Sequence, residues 1–270
     1  MILTGQTPHS SFLLVGAGRL ARHFTFAFQV FGLPLLRWDR SRPWSELNSL
    51  LDEATHVGLA ISDDSLEGFV RDHLARHLAH RQTPHAARGP VSRAVSATAP
   101  PAPTFASTEA APYPFRVIHF SGAKNIPGTI AAHPLMTFGP AIFPPEEYGR
   151  IHFTLTGAER LSDALPGWKN SFTLMPAGER ARYHALCVMA GNFPQLIWRK
   201  CEADLGAMGI PREAFRDYLE KAAANYAAFG PAAVTGPLAR GDLGTAALNR
   251  EALSGDKWQQ VYESFMEAHA

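Results

Sequence analysis

Charge of one sign is what this sequence lacks first. Its 270 residues carry 25 Lys and Arg against 24 Asp and Glu, a formal net charge of +1. No overall field directs such a chain to nucleic acid or to an anionic membrane. Cysteine is scarce as well. Cys187 and Cys201 are the two present, too few for a disulfide framework or a four-thiolate metal site. They read as a pair of buried thiols in a reducing compartment. The 12 histidines are scattered, without carboxylates or thiols at ligand spacing, so no metal is expected. No apolar run approaches the ~18–20 residues of a membrane span. Met1 to Ser11 lacks the basic start and apolar stretch of a secretory signal. No G-x-S-x-G elbow or Walker loop is found. These absences lead to the expectation of a cytoplasmic protein that handles a small molecule, with no nucleic-acid or membrane partner.

What is present is apolar material, 46% of the chain, and enough length for two domains. Short apolar runs alternate with helical periods through the first eighty residues. Strands are expected at 12–15, 33–38 and 57–61, and helices at 19–31, 44–51 and 65–80. That alternation predicts an α/β unit with a parallel sheet covered on both faces. Between 81 and 114 the texture changes to Pro, Ala, Ser and Thr, with Pro84, Pro90, Pro100, Pro101, Pro103, Pro112 and Pro114. No apolar period survives there, which reads as a flexible surface insertion rather than a partner-binding domain. Strands resume at 115–120, 129–132, 151–156 and 172–175. Helical patterns follow at 180–206, 211–229, 243–253 and 256–268. The expected plan is an α/β domain over 1–177 and an all-α domain over 178–270.

The sharpest motif is Gly16-Ala17-Gly18-Arg19-Leu20-Ala21, directly after the first strand and opening the first helix. It fits G-x-G-x-x-A. The first glycine permits the tight turn, the second lets the backbone approach a pyrophosphate, and the small third residue lets helix and strand pack closely. A helix N-terminus then presents unpaired N–H groups to the phosphates. Cofactor contacts are therefore expected at Gly16, Ala17, Gly18, Arg19 and Leu20. Asp39 stands 21 residues after Gly18, where an acid accepts from ribose hydroxyls and favours NAD. Arg40 and Ser41 follow at once, and a guanidinium with a hydroxyl can hold the extra phosphate of NADP. The pair tilts the choice toward NADP and leaves NAD open. Ser62 and Ser121 follow strands on the side where ligands of open parallel sheets collect, and join the cofactor set.

Further blocks run His119-Phe120-Ser121-Gly122-Ala123, Ala132-His133-Pro134-Leu135-Met136-Thr137-Phe138, Tyr183-His184-Ala185 with Gly191-Asn192-Phe193, and Thr235-Gly236-Pro237-Leu238-Ala239-Arg240-Gly241-Asp242. In this order they resemble an uncharacterised bacterial family of Rossmann-like proteins with a helical C-terminal domain of unknown function. That family resembles 6-phosphogluconate dehydrogenase, ketopantoate reductase and pyrroline-5-carboxylate reductase in architecture. The resemblance implies a dinucleotide-binding domain, a helical dimerisation domain and NADP-dependent oxidoreductase activity, and hence a homodimer. The better-known relatives use a lysine on the first long helix of the second domain and an asparagine one turn later. Val188 stands one turn after His184 and one turn before Asn192, so that pair is missing here.

The catalytic candidates are accordingly His184, Asn192 and Arg240. A histidine titrates near neutrality and can serve as the proton donor, or it can bond to backbone at a helix start. Asn192 in an apolar helical stretch needs polar partners. Arg240 can grip a carboxylate through a bidentate fork, or pair with Asp242 to fix a loop, while Asp242 caps the helix near 243. His133, Tyr183, Lys124 and Thr235 are weaker candidates. The expected reaction moves hydride between nicotinamide and a small oxo, hydroxy or imino acid, with a ketopantoate-like substrate by architectural analogy. The alternative is a non-catalytic dinucleotide-binding or sensing protein.

Overall fold

The computed structural model describes residues 10–82 and 113–269. Nearly all of the proline-rich stretch expected at 81–114 lies outside the described residues. The chain divides into two compact units, Met1–Phe193 and Pro194–Ala270.

The first unit begins with strand β1 (Phe12–Val15), helix α1 (Arg19–Val30), β2 (Leu35–Trp38), α2 (Trp44–Glu53) and β3 (His56–Leu59). Helix α3 (Asp63–Phe69) continues through a π-helical turn, Val70–Leu74, into α4 (Ala75–Gln82). Then come β4 (Arg116–His119), β5 (Ile130–Leu135), α5 (Pro145–Tyr148), β6 (His152–Thr156), β7 (Phe172–Leu174) and α6 (Arg180–Cys187). A second π-helical turn, Val188–Asn192, joins α6 to α7 (Phe193–Ala207). The helical unit continues with α8 (Arg212–Phe229), α9 (Leu243–Ala252) and α10 (Gln259–His269).

The seven strands form one sheet in the order β2-β1-β3-β4-β5-β6-β7. β1 sits between β2 and β3 and is parallel to both. The chain therefore leaves β1 on one side and returns on the other. The carboxyl ends of β1 and β3 flank that switch point, where open α/β sheets leave a crevice. Every residue of β1 is buried, as a central strand covered on two faces requires. Phe12 and Leu14 face Phe24, Phe28 and Trp168 on one side. Leu13 and Val15 face Leu47, Leu51 and Leu66 on the other. The period of two thus places successive side chains in two cores.

The parallel arrangement holds from β2 to β5 and then reverses. β6 pairs antiparallel with β5, and β7 pairs parallel with β6. The link from β5 to β6 contains only the four-residue α5, too little to carry the chain back across a face for a parallel return. The cysteines also depart from expectation. Cys187 and Cys201 are free and half-buried rather than buried, because the helical stretch that carries them is incompletely covered, with no residue of 188–207 buried.

Asn170 ties the reversed strands to the rest of the core. Its buried Nδ2 donates to Tyr148 O at 2.7 Å and to Ile151 O at 2.9 Å. Asn170→Leu keeps the volume, removes the donor to Ile151 O and leaves Tyr148 O only a long bond from Ile151 N at 3.5 Å, at about 1–3 kcal/mol for a buried carbonyl left unpaired. Urea unfolding of this variant is expected to show a loss of about 2–4 kcal/mol, and an unchanged midpoint would contradict the role.

Candidate functional site

The turn after β1 is built around Gly16. Its φ is +131°, and a Cβ there would lie 2.2 Å from the carbonyl oxygen of Ala60. Its N–H donates to Trp38 O at 2.9 Å. One residue without a side chain therefore joins the ends of β1, β2 and β3. At Gly18 a Cβ would meet no atom within 4 Å, so this position opens onto free space. Gly18 caps α1 without a side-chain hydrogen bond, and the first turn holds no acid. The N–H groups there are left for an anion. Ala21, the small residue of the motif, is fully buried against the sheet.

A groove of about 770 Å³ runs from this turn to the ends of β2 and β3. Gly16, Ala17, Gly18, Arg19, Leu20, Arg40 and Ser62 line it, with Asp39 and an apolar wall of Trp44, Ile61 and Phe69. Trp44 is 49% exposed, and its indole stacks on the His73 ring at 4.0 Å. Asp39 Oδ1 accepts from Ser41 N at 2.9 Å and from Ser41 Oγ at 2.6 Å. Those two bonds hold its carboxyl below the usual range, helped by the charges of Arg37 and Arg42. Ser41 is thus engaged by Asp39, and Arg42 by Glu46 and the Arg37 carbonyl. Arg40 is exposed at the lip of the groove. Ser62 Oγ lies 2.8 Å from Ser65 Oγ.

A second polar cluster lies at the carboxyl ends of β4 and β5. Ser121 Oγ donates to Asp63 Oδ2 at 2.6 Å and accepts from Lys124 N at 3.0 Å, so its hydroxyl is already committed. Arg180 is fully buried. Its guanidinium donates to Lys124 O at 2.9 Å, to Thr156 Oγ1 at 3.1 Å and to Ser121 O. His133 Nδ1 stands 2.9 Å from Tyr183 Oη. The His184 ring meets that of His133 edge-on at 5.7 Å. Both rings press on Gly122, where a Cβ would lie 2.2 Å from His184 Cδ2 and 3.1 Å from His133 Cδ2. Burial, with His184 and Arg180 nearby, pushes His133 down to about 4. Burial and Arg180 do the same to His119, whose two ring nitrogens have no hydrogen-bond partner. Burial raises the Tyr183 phenol to about 12.

The structure brings Gly16 to Leu20, Arg40 and Ser62 to one groove, and Ser121 and His184 to the second cluster. Asn192 is exposed at the end of the π-helical turn. Arg240 is exposed in the helical unit, where Asp242 accepts from Thr245 N at 3.1 Å and caps α9. Arg180, His119 and Trp44 were missed from sequence. Arg180 reaches Ser121 across 59 residues, and no spacing rule announces such a contact. Among the described residues no group of three His, Cys, Asp or Glu is arranged to hold a metal. No described helix is long and apolar enough to cross a membrane.

Residues 153–268 match the family model for a domain of unknown function, DUF2520. No curated protein matches the chain. Solved structures do. A Bacteroides fragilis protein proposed to be an NADP oxidoreductase superposes with a TM-score of 0.64 at 16% identity, over 96% of this chain and 97% of that one. Pyrroline carboxylate reductase of Plasmodium falciparum, solved with NADP bound, gives 0.55 at 9% identity over 98% and 97%. The 1-pyrroline-5-carboxylate reductase of Streptococcus pyogenes gives 0.54 at 11% over 96% and 97%. At these identities the likeness establishes the architecture: a Rossmann-like α/β unit followed by an all-α region.

The depressed histidines set an acid limit on stability, His119 and His133 in this cluster and also His56 in β3, pushed down to about 4 by burial and Arg116. His119 and His133 are neutral when folded, with values near 4, against ~6.5 unfolded. As pH falls below ~6.5 the unfolded chain binds protons first, so stability present at neutral pH is lost down to about 4, at about 1.4 kcal/mol per pH unit for each group. Urea unfolding between pH 7 and 5 is expected to show this fall, reduced in His119→Leu. A flat profile would contradict it.

Proposed function

We propose that the chain is an NADP-dependent oxidoreductase acting on a small oxo, hydroxy or imino acid. The observation that carries the reading is the groove at the Gly16 turn. A Cβ at residue 16 would close the turn, residue 18 opens onto space, and the α1 N-terminus is uncapped. A pyrophosphate fits such a cradle. The N–H groups of residues 16–20 hold it. The apolar wall of Trp44, Ile61 and Phe69 receives the adenine face. Arg40 takes the 2′-phosphate, since Ser41 and Arg42 are already engaged. NAD stays the weaker choice because Asp39, the acid that would accept from the ribose hydroxyls, is turned onto Ser41, while Arg40 stands exposed beside it.

The bound nicotinamide supplies or receives the hydride. His184, half-buried beside Gly122, is the proposed proton donor to the substrate oxygen or nitrogen. Asn192 is the proposed orienting amide and Arg240 the proposed carboxylate anchor. Ser121 acts on the cofactor side by holding the 121–124 turn in place. Arg40→Ala is expected to weaken NADPH binding about 10- to 100-fold, as loss of a charge-assisted contact does, and to leave NADH binding within about twofold. Titration of the cofactor's fluorescence measures both. Equal weakening of the two would assign Arg40 no role in choosing the dinucleotide, and binding of neither by the parent protein would remove the function proposed.

A homodimer belongs to the same reading. Among the described apolar residues of the helical unit only Phe215 and Ala246 are buried, while Met208, Tyr218, Leu243 and Leu248 are each at least 69% exposed. Monomers rarely leave so much apolar surface uncovered. A second copy of the chain is the proposed cover. Light scattering is expected to give twice the 29.4 kDa of one chain, and a single-chain mass at micromolar concentration would contradict it.

A further inference from the structure

The fully buried charge beside Gly122 is positive, and the half-buried Asp63 carboxylate offsets part of it from one hydrogen bond further away. Arg180 is fully buried, yet the three groups it donates to are the uncharged oxygens of Ser121, Lys124 and Thr156. The acid closest in the network is Asp63, and it accepts from Ser121 Oγ. Glu67 pairs with the Lys124 ammonium at 3.2 Å. The guanidinium bonds to the carbonyl one residue before Gly122, and the rings of His133 and His184 lie against Gly122 itself. A buried cation therefore sits within a residue of both imidazoles.

Tyr183 adds a direction to this field. A protonated phenol has one proton to give, and it stands 2.9 Å from His133 Nδ1, with Thr154 and the Cys187 thiol as its other hydrogen-bonding neighbours. When it donates, Nδ1 accepts, and the ring proton of neutral His133 stays on Nε2. Burial, with His184 and Arg180 nearby, keeps the ring neutral at pH 7. His133 then offers an N–H and no positive charge.

We propose that this cluster selects a carbonyl compound, an oxo acid, over an imine, because Arg180 and the Nε2–H of His133 favour an oxygen that gains negative charge. Resting on the oxidoreductase reading, the step balances as follows. Hydride from the reduced nicotinamide dinucleotide forms a C–H bond at the carbonyl carbon, and the C=O π pair moves to oxygen. The oxygen takes one proton from His184, which is restored from solvent. The substrate is reduced to an alcohol and the dinucleotide is oxidised. Negative charge on oxygen is larger in the transition state than in the bound substrate, so a buried cation and a fixed donor stabilise the former selectively. An imine near neutral pH reacts as its iminium, which already carries a positive charge. A guanidinium whose direct hydrogen bonds go to uncharged oxygens, and which Asp63 offsets only in part, opposes that charge in a poorly screened interior. The carboxylate of an oxo acid adds an attraction of the same origin.

The test uses the full chain with NADPH bound. Calorimetry compares oxamate, an oxo-acid analogue that hydride does not reduce, with the pyrrolidine cation, an iminium-sized probe. Oxamate is expected to bind at least tenfold more tightly. Turnover, read as product by mass spectrometry, is expected for 2-oxo acids at more than tenfold the rate for 1-pyrroline and its 5-carboxylate. Arg180→Met should erase the oxamate preference, but it also unties the 121–124 turn. Tyr183→Phe leaves the cation in place and tests the positioning role separately. Its His133 ¹⁵N shifts should move from an Nε2–H tautomer to a mixture, with kcat on oxo acids about tenfold lower. Pyrrolidine binding as tightly as oxamate, faster reduction of cyclic imines, or an unchanged His133 tautomer in Tyr183→Phe would each overturn the proposal. Failure of NADPH itself to bind would be seen first, in the absence of any probe, and would instead strike the underlying reading and this one with it.

Discussion

The approach of the β1–α1 turn to the end of β3 constrains everything around the groove. Ala60 O stands where a Cβ on residue 16 would be, 2.2 Å away. Only glycine brings the two strand ends together there, and φ of +131° suits it alone. The contact sets where α1 begins, so it sets where the uncapped N–H groups point. It also closes the switch point between β2, β1 and β3 into a crevice rather than a gap. The shape of the proposed dinucleotide groove and the packing of the central strand thus follow from one steric fact.

Arg180 plays the comparable part at the other strand ends. Burying a guanidinium costs several kcal/mol unless its donors are satisfied. Here the donors are satisfied by Ser121 O, Lys124 O and Thr156 Oγ1. The same bonds clamp the 121–124 turn to β6 and to the start of α6. Because α6 carries Tyr183 and His184, the clamp also brings those rings to Gly122. Charge and position therefore come from one side chain. The region that lacks the lysine of the better-known architectures does hold a cation, the buried Arg180.

Much of the first unit was legible in the residues. β1, α1 and the glycine turn are local, and the switch from a run of four apolar residues to G-x-G-x-x-A marks them without tertiary knowledge. The cap by Asp242 is equally local, one side chain reaching Thr245 N. What was hidden is what depends on distance along the chain. His133 and Tyr183 are 50 residues apart, and nothing in either segment names the other. The reversal at β6 was hidden for a related reason, since a buried apolar strand reads the same in either direction. The π-helical turns at Val70–Leu74 and Val188–Asn192 keep a helical period and cannot be told from α-helix by pattern. Ser41 shows the converse. It was read as a phosphate ligand from its place beside Arg40, and the structure engages its hydroxyl with Asp39.

The central claim is that one dinucleotide serves both the Gly16 groove and the cluster at Gly122. Hydrogen exchange with and without saturating NADPH tests it most directly, because backbone amides in both places report occupancy without any substrate. The account predicts slower exchange in two separate segments, residues 16–22 and residues 121–124, together with the start of α6. Protection confined to the first segment would leave the second cluster outside the cofactor's reach and contradict the account.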